Sequence, residues 1–122
     1  MSDKKKVLLF EDNINIQTLL KFFFRKRGIE IRIESDGTAA VPITNDFAPD
    51  LILMDYIMPG KDGVEAITDL RRAGVTVPIV MLTSKTYSAD EDRARAAGAS
   101  GYLHKPFNPK DLEAAINPYL LP

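Results

Sequence analysis

The chain has 122 residues, 45% of them hydrophobic and 27% charged, the size and make-up of one soluble globular domain with a single core. Its formal charge of −1, from 16 basic and 17 acidic residues, excludes the broad basic field that drives nucleic-acid binding and any pronounced acidic one, so no direct nucleic-acid contact is expected. The absence of cysteine excludes a disulfide scaffold and a thiolate metal site or nucleophile, and it fits a reducing compartment, the cytoplasm by default.

In chain order, Lys4, Lys5 and Lys6 could open a signal peptide, but the apolar run after them is only Val7 to Phe10 before Glu11 and Asp12 interrupt it. A solvated lead-in to a first strand is expected instead. No other segment approaches the roughly 20 apolar residues of a membrane span, so no membrane insertion is expected. After that strand, Ile16, Leu19, Leu20, Phe23 and Phe24 recur at helical spacing, closed by a basic turn (Arg25, Lys26, Arg27) and Gly28. Phe22, Phe23 and Phe24 cannot all face one core, and Phe22 is the expected outlier.

Ile29, Ile31 and Ile33 alternate with Glu30, Arg32 and Glu34, which suits a strand with one wet face near a sheet edge. A helix is predicted over about residues 38 to 46, short or kinked because Pro42 lacks a donor and crowds the carbonyl of Thr38. Leu51 to Met54 is continuously apolar, as a central strand covered on both faces should be. Residues 64 to 72 read as the next helix, stopped at Gly74, with Asp62 capping or orienting the turn before it.

Pro78 to Leu82 is the fourth predicted strand and ends in Thr83-Ser84. Ser88 and Glu91 have capping-box spacing for a helix reaching about Ala97. Gly101 to His104 makes a fifth strand, and Asn108-Pro109 starts a last helix that Pro118 is expected to shorten. Strand and helix alternate five times, which predicts an α/β fold with a parallel sheet filling residues 1–122 as one domain.

Parallel α/β sheets bind ligands beyond the carboxyl ends of their strands. Those ends are polar here: Glu11-Asp12 after the first strand, Asp55 after the third, Thr83 after the fourth and Lys105 after the fifth. Three carboxylates in one crevice repel each other unless a cation compensates, and an all-oxygen donor set suits Mg²⁺, with Mn²⁺ as a substitute. Asp12 and Asp55 are the expected direct ligands, Glu11 acts through a water, and the backbone carbonyl of Ile57 completes the protein's share. A hydroxyl (Thr83) and an ammonium (Lys105) facing a metal-bound carboxylate suit phosphoryl transfer, whose three equatorial oxygens need such partners. Asp55 is then the nucleophile and would form an acyl phosphate.

Five stretches in order, "LLFEDN", "DLILMDYIMPGKDG", "PIVMLTS", "GASGYL" and "HKPF", make the chain similar over nearly its whole length to the receiver domain of two-component response regulators. The resemblance implies a flavodoxin-like, doubly wound sheet of five strands in the order 2-1-3-4-5, with five helices. It implies a stoichiometric phosphoacceptor that assists its own phosphorylation and dephosphorylation, not a turnover enzyme. Its donor would be the phosphohistidine of a sensor histidine kinase or histidine phosphotransfer protein. Thr83 and Tyr102 would be the switch residues, changing how the face of the fourth helix, fifth strand and fifth helix meets a downstream target protein or a second copy in a homodimer. Ile14 and Phe22 could form an apolar dock for the phosphotransfer partner, although partial burial explains them equally well.

Other readings carry less. His104 alternates with Lys105 and so points away from the crevice, a poor phosphohistidine. A Mg²⁺-dependent aspartate-nucleophile phosphatase would carry its nucleophile after the first strand, where this chain has Glu11-Asp12-Asn13. A receiver-like binding module without phosphate turnover conflicts with the full set Asp12, Asp55, Thr83 and Lys105. The first of the usual two aspartates is Glu11 here, and Ile57 and Lys85 flank the path of a hydrolytic water, which bears on the lifetime of the phosphoryl group. The chain stops at Pro122 after the fifth helix, so no output domain is expected; it is read as a stand-alone receiver or a piece of a larger regulator.

Overall fold

In the computed structural model, which describes residues 4–84 and 88–120, strands and helices alternate: β1 (Lys6–Phe10), α1 (Ile14–Lys26), β2 (Glu30–Glu34), α2 (Ala40–Phe47), β3 (Leu51–Asp55), α3 (Gly63–Arg72), β4 (Ile79–Thr83), α4 (Ser88–Ala97), β5 (Gly101–His104) and α5 (Pro109–Leu120). All four strand pairings are parallel, and the sheet order is β2-β1-β3-β4-β5. The winding direction reverses between β1 and β3, which opens a crevice beyond their carboxyl ends.

Alternation along the strands divides the core in two. Val7, Leu9, Leu51, Leu53, Val80 and Leu82 pack with Leu20, Phe23 and Phe24 of α1 and with Leu112 and Ile116 of α5. Leu8, Phe10, Ile52, Met54, Ile79 and Met81 point to the other side and pack with Ala40 of α2, Ala66, Ile67 and Leu70 of α3 and Ala94 of α4. β3 and β4 are buried along their whole length, whereas β2, at the edge, is nowhere fully buried.

Two proline expectations divide. α2 is short, eight residues, and Pro42 falls in its first turn, where the missing N–H has no helical partner to lose. α5, by contrast, does not stop at Pro118 but runs through it to Leu120. The local penalty is outweighed by what lies beyond it: Leu120 is 7% exposed, and the Tyr119 hydroxyl donates to the carbonyl of Ser100 at 2.9 Å. Leu19, which shares the helical spacing of the α1 core residues, is 41% exposed, because Leu20, Phe23 and Phe24 already fill the sheet-facing side. The Ser88 half of the expected capping box, and Lys85, lie outside the described side chains.

Candidate functional site

Each strand delivers its polar terminal residue to the same end of the sheet. Glu11 continues the β1 ladder, its N–H donating to Glu34 O at 2.9 Å, and it is completely buried. Its Oε2 accepts the N–H of Asn13 at 3.0 Å; Asn13 in turn caps α1, its side chain accepting from the backbone N–H groups of Asn15 and Ile16. The turn out of β1 thus fixes Glu11 inward and leaves Asp12 exposed beside it.

Asp55 ends β3 at 5% exposure. The chain then loops through Ile57 and returns to donate Gly63 N–H to Tyr56 O at 2.8 Å. A Cβ at Gly63 would lie 2.4 Å from the Asp55 carbonyl, so only glycine lets α3 start this close to the strand end. Asp62 caps α3 in a reciprocal capping box with Glu65, as its place in the sequence suggests.

Glu11, Asp12 and Asp55 bring carboxylate oxygens within 4.8 Å of one another. Lys105 Nζ reaches in from the end of β5, 3.1 Å from Asp55 Oδ1 and 2.8 Å from Glu11 Oε1; the second contact is an ion pair without the angle of a hydrogen bond. Burial first, then Glu11, push the Asp55 carboxyl up to about 7, against the opposing pull of Lys105. Its two carboxylates raise the pKa of the Lys105 ammonium, although its own burial works the other way.

Thr83 is 2% exposed at the end of β4. Tyr102, paired with Met81 and two residues before His104, the β5 partner of Thr83, turns its hydroxyl into the interior near Thr83, where burial pushes its pKa up and the threonine opposes; no aligned hydrogen bond reaches it among the described residues. His104 is exposed, its ring edge-on to Tyr102 at 5.0 Å. Ile57 exposes 59% of its surface beside the loop.

Ile14 and Phe22 are 70% and 67% exposed, two turns apart on α1. Neither lines the groove nearest the crevice, about 370 Å³ bounded by Ile16, Leu19, Lys105, Pro106 and Phe107. That groove was not legible in the sequence, because it joins α1 to the segment after β5. Also unforeseen are Tyr56, Asp90 and Arg93, which form a polar cluster where α4 meets β3.

Residues 7–117 match the model of the response regulator receiver domain. The chain belongs to this family. Its receiver domain is 36% identical over 114 residues to the phosphate regulon transcriptional regulatory protein PhoB of Escherichia coli, covering 92% of this chain and 50% of that protein. It is 35% identical over 113 residues to the DNA-binding response regulator MtrA of Mycobacterium tuberculosis, covering 93% of this chain and 49% of that one. The chain thus spans about half the length of these curated relatives. Among solved structures it resembles the chemotaxis protein CheY4 of Vibrio cholerae (TM-score 0.89, 31% identity, 96% of this chain and 99% of that one). It also resembles the receiver domain of the sensor histidine kinase PA1611 of Pseudomonas aeruginosa, solved with a magnesium ion in its active-site cleft (TM-score 0.85, 32% identity, 95% and 97% covered). The receiver domain is a phosphoacceptor switch of two-component signalling, and the sheet order 2-1-3-4-5 that the resemblance implied is the order observed. No helix among the described residues is long and apolar enough to cross a membrane.

Proposed function

We propose that Asp55 is the phosphoacceptor of this receiver domain, taking its phosphoryl group from the phosphohistidine of a sensor histidine kinase or a histidine phosphotransfer protein. The observation that carries this reading is one ammonium, Lys105, held between two buried carboxylates while a third, Asp12, stands exposed within 4.8 Å of them. The cluster holds three acids against one base, a donor set of hard oxygens that fits a divalent cation such as Mg²⁺ or Mn²⁺. Asp12 and Asp55 would hold the ion, with the Ile57 carbonyl. Glu11 would act through a water, which suits a side chain whose two oxygens already face Asn13 and Lys105. When bound, the ion neutralises charge on the transferring phosphoryl oxygens and favours the ionised form of Asp55.

Asp55 attacks phosphorus as the P–N bond to the donor imidazole breaks, and the imidazole leaves with its electron pair and takes up a proton. Lys105 is released from Asp55 toward a phosphoryl oxygen while Glu11 keeps it oriented. Thr83, at the adjacent strand end, donates its hydroxyl to another oxygen. The product is an acyl phosphate, made once per molecule, with no second substrate turned over. Thr83 and Tyr102 then bias the α4-β5-α5 face toward a downstream protein or a second copy of the chain. Ile14 and Phe22, exposed on α1, would offer the phosphodonor an apolar landing. The domain would work in the cytoplasm and act through proteins, since its net charge of −1 supplies no overall basic field to hold nucleic acid.

Incubation with acetyl phosphate, with and without Mg²⁺, followed by intact mass, tests the reading. One phosphoryl group that requires Mg²⁺, is lost to hydroxylamine and is absent from Asp55→Asn is expected. An adduct that persists in Asp55→Asn would overturn it.

A further inference from the structure

α4 is weakly held by apolar contacts. Its sequence, SADEDRARAA, supplies one fully buried apolar side chain, Ala94, among the described residues. Its carboxyl end is tied down: Arg71 of α3 donates twice to the carbonyl of Gly98, at 3.1 and 2.8 Å. At its amino end the buried group is polar. Asp90, 7% exposed, accepts a long hydrogen bond from the Tyr56 hydroxyl at 3.4 Å and pairs with Arg93 at 3.3 Å, while Arg93 donates to the same phenol oxygen at 3.2 Å.

Tyr56 is the residue directly after Asp55. Its backbone is fixed on both sides, its N–H donating to Leu82 O and its carbonyl accepting from Gly63, each at 2.8 Å, and 4% of its surface is exposed. It is a rigid arm from the strand end to the first turns of α4. A helix bound mainly by one polar triangle at one end, and clamped at the other, pivots when the triangle opens, and an opening that gives up about one net hydrogen bond is thermally accessible.

We propose that Tyr56 is a positioning residue of the switch, holding the amino-terminal half of α4 against the acceptor strand so that a change at Asp55 reaches α4 through its phenol, alongside the Thr83 and Tyr102 route. The proposal rests on the reading of Asp55 as phosphoacceptor. Hydrogen exchange of the whole chain, followed by peptide mass spectrometry, tests it in the metal-free protein and again with Mg²⁺ and BeF₃⁻. Tyr56→Phe keeps the buried ring and removes only the hydroxyl, so the fold is retained. In the metal-free protein this variant is expected to raise exchange over residues 89–94 roughly fivefold, the effect of one net hydrogen bond, without change in β3 or β4. Asp90→Asn, which keeps an acceptor for the phenol, is expected to exchange like the natural protein. Addition of BeF₃⁻ should then alter α4 less in Tyr56→Phe than in the natural chain. Unchanged α4 exchange in Tyr56→Phe, or a rise spread equally over the sheet, would overturn the proposal. Failure of BeF₃⁻ to act on the natural chain would count against Asp55 as acceptor, and the metal-free comparison would still decide for or against Tyr56.

Discussion

Asp55 ends a strand buried at every residue, and its burial and the neighbouring Glu11 hold its carboxyl at about 7, far above the roughly 3.9 of an unfolded aspartate. The folded state therefore binds this proton more tightly than the unfolded chain, and stability falls as pH rises between about 4 and 7. Urea unfolding in metal-free buffer should show that decline, and Asp55→Asn should flatten it. At pH 8 the variant should be more stable than the natural chain by about 1–2 kcal/mol, because it removes a buried charge that Lys105 compensates only in part. A variant less stable at pH 8, with the slope unchanged, would contradict the account. In the proposed function, a cation held beside Asp55 would favour the ionised form that burial resists.

Among the elements, α3 and the segment after α4 are joined by one side chain as well as by apolar packing. Arg71 donates to Val75 O at 2.9 Å and Val77 O at 2.8 Å as well as to Gly98, so it ties the loop into β4 to the end of α4. Arg71→Met keeps much of the apolar stem but leaves three carbonyls without these donors, and the expected loss is about 2 kcal/mol in urea unfolding. A loss below a few tenths would show that water replaces the guanidinium. None of this was legible in the sequence, where Arg71 is simply a residue near the end of the helix predicted over 64 to 72. Local signals told most where their chemistry is local, as at Asp62 and Glu65, three residues apart. They failed at Pro118, where contacts of Tyr119 and Leu120 with β5 and the core override helix propensity. Tyr56 and Asp90, 34 positions apart, meet only through the fold.

For the whole molecule, the alternation of apolar runs and helical periods was enough to predict a parallel α/β sheet, and its polar strand ends were enough to predict the crevice. The strand order came only with the resemblance, since periodicity says nothing of which strands are neighbours. The groove of Ile16, Leu19 and Phe107 escaped for a similar reason: its walls lie at opposite ends of the chain. Since a cation that binds the folded crevice and not the unfolded chain stabilises it, Mg²⁺ at about five times its dissociation constant should add about 1 kcal/mol of stability. Thermal melts should show this gain in the natural protein and its loss in Asp12→Asn; an equal gain in both would place the ion elsewhere. The most direct measurement is of where the phosphoryl group goes. Borohydride reduction of the protein treated with acetyl phosphate and Mg²⁺ converts an acyl phosphate to an alcohol, and peptide sequencing should find homoserine in place of Asp55. Reduction at Asp12 or Glu11, or at no acidic residue of a protein that carries phosphate, would contradict the account.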